Sequence, residues 1–422
     1  MAAQSNVLDR PLLDDAEAGI LLERTEAGTS DEARASGADA AAEAPYDLDH
    51  GGLHPLRRLL VLAGLWRPRD RRAVLAWQAL AFLAACSFLA LQLAGLGIDG
   101  GGGCRAAAAT GSASRIDAFF ARARTTFRVP GGCWEMMVPG ALLNALPIVA
   151  FAYCFFDLNR DLFSARADHV AAIAARVPRS ARPDFERRVR RAVAALEALH
   201  VAASVATAAL DERGWAEVAP SALYLWLWWA PVAAFAALAA TVCEGHRCDA
   251  ERLAADLASG RAPVAATYAA AGALDARVGA SATRLAAFLW IQCALPTASL
   301  TALVLTYVLK REVQAAEFGQ YWLLTYTGLA VAGNAISLGS AAGLTAAFDG
   351  IARAINARHA DLGADRGARA DVEHAKGFLR TLDGGPKCCG FRVDGLFCAQ
   401  YVGLNVALVL GAVEVNMMRA PT

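Results

Sequence analysis

Six stretches of this 422-residue chain run for about twenty residues or more without a charged side chain. They are Ala73–Ile98, Met136–Phe156, Val218–Cys243, Leu285–Leu309, Phe318–Phe348 and Gly395–Val413. Crossing a bilayer core takes about 20 mostly apolar helical residues, so each run is long enough, or nearly so, to span one. A seventh run, Ala192–Leu210, is alanine-rich and interrupted by Glu197 and His200. The expected fold is therefore an all-α membrane protein of seven transmembrane helices. Its spans fall at 73–98, 136–156, 192–210, 218–243, 285–309, 321–344 and 395–417.

Composition agrees. Hydrophobic residues make up 56% of the chain and charged residues 19%, below the quarter or so usual in soluble domains. Net charge is zero, so no bulk attraction to nucleic acid is implied. Arginine and lysine mark the cytoplasmic side of a membrane protein. With the N-terminus inside, 28 of these residues flank the inner ends of the spans and 9 the outer ends. The orientation is N-terminus cytoplasmic and C-terminus outside. A G-protein-coupled receptor runs the other way, and span seven lacks that family's Asn-Pro pair, despite Asp211-Glu212-Arg213 after span three.

The polar segments divide the rest. Residues 1–52 carry 12 acids against 3 arginines in a low-complexity sequence, which predicts a disordered acidic tail and no cleavable signal. Two dileucine-like strings in it, ending at Leu13 and Leu22, are either sorting signals or inert. Residues 53–418 form the seven-helix domain, with a cytoplasmic helical region over 349–389 before the last span. Cys104 and Cys133 share the long outer loop and are the pair placed for a disulfide.

Several motifs suggest chemistry without completing it. Gly95, Gly97 and Gly100 have dinucleotide-loop spacing but close a transmembrane helix instead of joining a strand to one. Cys243, His246 and Cys248 lack a fourth ligand at zinc spacing. Cys388-Cys389, at the inner start of span seven, is either an acylation site or simply sits against the interface. No catalytic constellation, metal site or cofactor is expected, and the chain is read as a non-enzyme. Glu197 and His200 share a face of span three, either as intramembrane functional groups or as residues snorkelling to the inner surface. Pro231 and Pro296 are the only hints of broken helices, and Gly339 with Gly343 makes a small-xxx-small pair in span six.

Two aromatic clusters lie at equal depth. Tyr224, Trp226, Trp228 and Trp229 occupy the outer half of span four, and Tyr321, Trp322 and Tyr326 open span six. They are interfacial anchors or the walls of a ligand pocket open to the outside. On the last span, Gln400, Gly403, Ala407, Gly411 and Glu414 fall on one helical face, small in the middle and polar at both ends. Asn405 is the one clearly polar residue of the opposite face. The small face either packs on a neighbouring helix or surrounds a water path, with Glu414 forming an acidic, cation-selecting ring at the outer mouth.

The layout of seven spans, inner N-terminus, long inner helices and a final span near the end resembles the insect odorant and gustatory receptor superfamily, including gustatory receptor-like proteins. Where that family carries Thr-Tyr, five hydrophobic residues and Gln-Phe, this chain has Ala407-Leu408, Val409 to Val413, and Glu414-Val415. The resemblance implies a ligand-gated cation channel of four identical subunits, with the last helix lining the pore and a small-molecule ligand entering from outside. It places the protein in the plasma membrane or an endosomal or vacuolar membrane. The alternative is a non-channel transporter or receptor scaffold of the same topology.

Overall fold

A computed structural model describes residues 53–63, 65, 72–98, 134–155, 170, 173–209, 215–261, 264–309, 317–361, 384–388 and 390–417, with single positions at 367, 370 and 373. The acidic tail and the expected Cys104–Cys133 pair lie outside these residues. What is described is all-α apart from one two-stranded hairpin. The principal helices are α1 (His54–Leu62), α2 (Arg72–Ile98), α3 (Trp134–Phe155), α4 (Arg182–Ala209), α5 (Trp215–Ala258), α6 (Val264–Leu309), α7 (Glu317–Asp361) and α8 (Gly395–Met417).

Two stretches, Ala222–Ala258 and Leu324–Ala357, are long and apolar enough to cross a membrane. Ala79–Ala90, Val138–Phe151, Leu289–Leu305 and Gly395–Gly411 are shorter apolar segments. Expectation and structure thus agree on helices throughout, while only two of the seven expected spans meet the full length-and-hydropathy requirement among the described residues. α4 carries Asp184, Glu186, Arg187, Arg188, Arg190 and Arg191 in its first turns, ahead of the expected span, and turns Phe185, Val189, Val193, Leu196 and Ala203 inward.

α5 is the central pillar, with an unbroken buried run from Trp228 to His246. It stands between two cores. One gathers side chains of α1 to α4 around Tyr224, Trp228 and Phe235. The other joins the far end of α5 to α6, α7 and the hairpin around Leu274, Phe348 and Ile351. α5 and α7 pack closely because glycines face bulky partners. A Cβ on Gly333 would stand 2.6 Å from the Trp229 ring, and one on Gly343 would stand 2.9 Å from Arg247. Gly339, from the sequence pair, is exposed with nothing near it, so close approach is made through Gly333 and Gly343 instead.

Gly260, at φ 70°, ends α5, where the N–H groups of Gly260 and Arg261 return to the Leu257 and Asp256 carbonyls. Of the helical region expected over 349–389, the described residues are helical to Asp361 and at 367, 370 and 373, and depart from helix at 384–388. α7 runs to Asp361, but Gly384 and Gly385 sit at φ 64° and 139°, and strands β1 (Lys387–Cys388) and β2 (Phe391–Arg392) pair in antiparallel register. Gly-Gly-Pro cannot continue a helix, and Gly390 at φ 81° turns the hairpin.

Candidate functional site

The last helix is held from one side only. Asp394 caps its start by accepting the Phe397 N–H at 2.8 Å. Just before it, Arg392 clamps the hairpin to α7, donating to Asp349 at 2.8 Å and to the Gly384 carbonyl at 2.7 Å. The Thr345 hydroxyl donates to the Val393 carbonyl at 2.7 Å, and Asp275 of α6 accepts the Gly384 N–H at 3.0 Å. The helix therefore begins from a fixed point on α6 and α7.

Further along, a seam of neutral polar groups fastens α8 to the same two helices. The Asn334 amide of α7 donates to the Gln292 carbonyl of α6 at 2.6 Å and to the Tyr401 hydroxyl of α8 at 2.9 Å. The Thr297 hydroxyl lies 3.1 Å from the Asn405 amide oxygen, and the Asn405 amide donates back to the Tyr401 carbonyl at 2.8 Å. Gln292, Asn334 and Asn405 are buried. Both amide atoms of Gln292 and the Asn334 oxygen have no hydrogen-bond partner among the described residues. A buried amide atom without a partner costs about 1–3 kcal/mol, so this seam is polar beyond what holding a helix requires.

On the other side of α8, Gln400, Gly403, Ala407 and Glu414 are exposed and Gly411 is half-exposed. No side chain lies within 4 Å of where a Cβ on Gly403 or Gly411 would stand. The stripe named from spacing is thus the unpartnered face of the helix, and Asn405 on the opposite face is the buried one. Sequence reasoning named Asn405 but missed Gln292, Thr297, Asn334 and Tyr401. The available signal was a set of polar residues recurring at one depth in three apolar runs.

The aromatic residues take a different arrangement. Tyr224, Trp228, Trp229 and Tyr326 are brought together and fully buried. Tyr326 lies 5.7 Å from Tyr224 and 4.9 Å from Trp228, ring centre to ring centre. Their polar ends are engaged. The Tyr224 hydroxyl donates to Asn144, Trp228 to the Leu143 carbonyl at 3.0 Å and Trp229 to the Leu196 carbonyl at 3.2 Å. This is packing in which the Tyr224 phenol and both indoles are hydrogen-bonded, as buried aromatics require. Trp226 is half-buried and faces Trp77 at 6.2 Å. The side chains of Tyr321 and Trp322 lie outside the described residues. A cavity of about 840 Å³ opens elsewhere, between α4, α7 and α8, with Leu199, Val331, Ile336, Asn405 and Val409 on its walls. Glu197 is exposed, and His200 is half-buried with Nδ1 unpartnered.

Where α4 meets α5, charges form a bracket. Arg188 donates to Glu251 at 3.0 Å and to Glu244 at 3.2 Å, and Arg247 reaches Glu251 at 2.8 Å. The 37 residues of Ala222–Ala258 extend about 55 Å, longer than a hydrocarbon core of about 30 Å, so a bilayer around the expected span 218–243 would leave the charged end outside it. Burial opposes charge on Glu251, but hydrogen bonds from Arg188 and Arg247 outweigh it and hold its pKa below the ordinary carboxylate range. Burial likewise works against charged Arg188, and the Glu251 and Glu244 carboxylates more than reverse it. His246, three residues from Cys243 and two from Cys248, hydrogen-bonds Ser281 at 2.9 Å, and no group of metal-ligating side chains is found among the described residues.

No protein-family model matches this chain, and no characterised protein matches it in sequence.

Proposed function

We propose that this chain crosses a membrane seven times, at the spans inferred from its charge-free runs, and that four copies form a cation channel lined by α8. The observation carrying this reading is the two-sidedness of that helix. Its buried face is pinned to α6 and α7 by Asn334, Tyr401, Thr297 and Asn405. Its opposite face offers Gln400, Gly403, Ala407 and Glu414 to whatever lies outside the subunit. Small residues there leave room for water, and Glu414 supplies a negative charge near the outer end. The stoichiometry of four and the gating by a small external ligand rest on the resemblance to insect gustatory and odorant receptors.

Replacing Glu414 with lysine reverses the charge at the mouth. Reversal potentials of reconstituted currents in salt gradients should move away from the cation equilibrium potential. Unchanged potentials would defeat the proposal.

A transporter or non-conducting scaffold is favoured by one feature: the unpartnered Gln292 amide, one turn before Pro296, with the unpartnered Asn334 amide oxygen, within the proposed spans. Oligomeric mass in detergent separates the two readings. A tetramer supports the channel, and a monomer supports the transporter or scaffold.

A further inference from the structure

A proline inside a helix has no N–H to offer the carbonyl four residues earlier, so that carbonyl needs a donor from elsewhere. In α3, Pro147 leaves the Leu143 carbonyl in this position, and the Trp228 indole of α5 donates to it at 3.0 Å. In α6, Pro296 leaves the Gln292 carbonyl, and the Asn334 amide of α7 donates to it at 2.6 Å. Both interruptions are thus repaired from a neighbouring helix, by side chains of very different character. We propose that the Pro296 joint is a hinge, that Asn334 is its latch, and that opening the latch loosens the last helix. This depends neither on conduction nor on the number of subunits.

The two joints differ in what surrounds the donor. Trp228 is a buried ring packed against Tyr326, and its one N–H is committed to Leu143. That joint is fixed. Around Asn334 the hydrogen bonding is incomplete: its own oxygen and both amide atoms of Gln292 are buried without a partner among the described residues. A rearrangement that pairs these groups would offset the loss of the bond to the carbonyl, which brings two arrangements close in free energy. Thr297 adds a second choice. Its single hydroxyl proton has two acceptors, the Cys293 carbonyl at 3.0 Å and the Asn405 amide oxygen of α8 at 3.1 Å. One supports α6 beside its proline, and the other holds α8.

The joint also lies between parts of α6 that are anchored separately. Before it, Ser281 lies 2.9 Å from His246 of α5, Arg277 donates to Asp249 of α5 at 3.5 Å, and Asp275 accepts the Gly384 N–H. After it, the Ser299 hydroxyl donates to the Pro139 carbonyl of α3 at 3.0 Å. α8 bridges the two parts. Tyr401 is bonded to Asn334 at 2.9 Å, while Asn405, one turn on, meets Thr297 beyond the proline. One Asn334 amide serves both the Gln292 carbonyl and Tyr401, so a bend at Pro296 that withdraws the carbonyl also changes the hold on α8.

The chain carries its own probe. Cys293 is buried beside the joint and contacts the Tyr401 side chain, so its thiol is uncovered when α8 parts from α6. Cys248, buried on α5 near the charged bracket, reports global unfolding instead. The test labels purified full-length protein in detergent with N-ethylmaleimide at fixed pH and follows both cysteines by peptide mass spectrometry. Asn334→Leu keeps the side-chain volume and loses the donor. It should speed Cys293 labelling about tenfold, the equivalent of about 1.4 kcal/mol in opening, and leave Cys248 unchanged. Pro296→Ala returns a backbone N–H to the Gln292 carbonyl, so in the double variant most of that acceleration should vanish. If a variant does not fold, Asn334→Ala or Pro296→Ser makes the same comparison. Equal acceleration with and without the proline overturns the latch. Acceleration of Cys293 and Cys248 together, or of neither, overturns the hinge.

Discussion

The hydrogen bond between Asn334 and Tyr401 makes a specific energetic claim, because it joins the last helix to its neighbour across an apolar interior. Tyr401→Phe deletes one hydroxyl without changing the shape of the ring. It leaves one Asn334 N–H unpartnered beside the 2.6 Å bond to the Gln292 carbonyl. Leaving a buried donor unmade costs about 1–3 kcal/mol. Asn334→Ala removes both of its bonds, but it also removes the amide oxygen that already lacks a partner. The combined loss should therefore fall short of the sum of the single losses. Polar contacts between membrane helices couple by about 0.6 kcal/mol on average and about 1.7 at most. With Asn334 1% exposed, a coupling near 1 kcal/mol is expected. A double-mutant cycle measured by reversible unfolding in mixed detergent micelles reads this directly. Independent sites add to within about 0.3–0.5 kcal/mol, so additivity at that level would show that the seam does not hold α8.

Glycine at 333 should be irreplaceable. Gly333→Ala would drive a methyl into the rigid, buried Trp229 ring, at a cost of about 1–3 kcal/mol seen as a lower melting temperature. Gly339→Ala meets nothing and should be neutral or stabilising by about 0.5–1 kcal/mol. Glu251 has a folded-state pKa below its unfolded one, so its contribution to stability is complete above the ordinary carboxylate range and disappears as pH falls from that range through the lowered folded-state pKa. The melting temperature of wild type should drop across that acid window more steeply than that of Glu251→Gln. Parallel pH profiles would contradict the bracket's role.

The legible part of this protein was its apolar and charged texture. Charge-free runs announced α2, α3, α5, α6, α7 and α8, because hydrophobic residues repeated over twenty positions leave a helix as the economical way to satisfy every backbone group. The stripe from Gln400 to Glu414 was legible too, since helical spacing alone assigns residues to a face. The sequence did not say which face of α8 would be buried. Asn405 turns inward because Thr297 and Tyr401 wait there, contributed by positions 108 residues and one turn away. Gln292 and Asn334, 42 residues apart, become one site only when α6 and α7 pack antiparallel. The same holds for the aromatic residues: spacing placed Tyr224 and Tyr326 at equal depth, but ring packing, with Tyr224, Trp228 and Trp229 hydrogen-bonded, made them a core. Helix formation is a local property of side chains along the chain, whereas the partner of a polar group depends on which surfaces meet, and that is decided by tertiary packing.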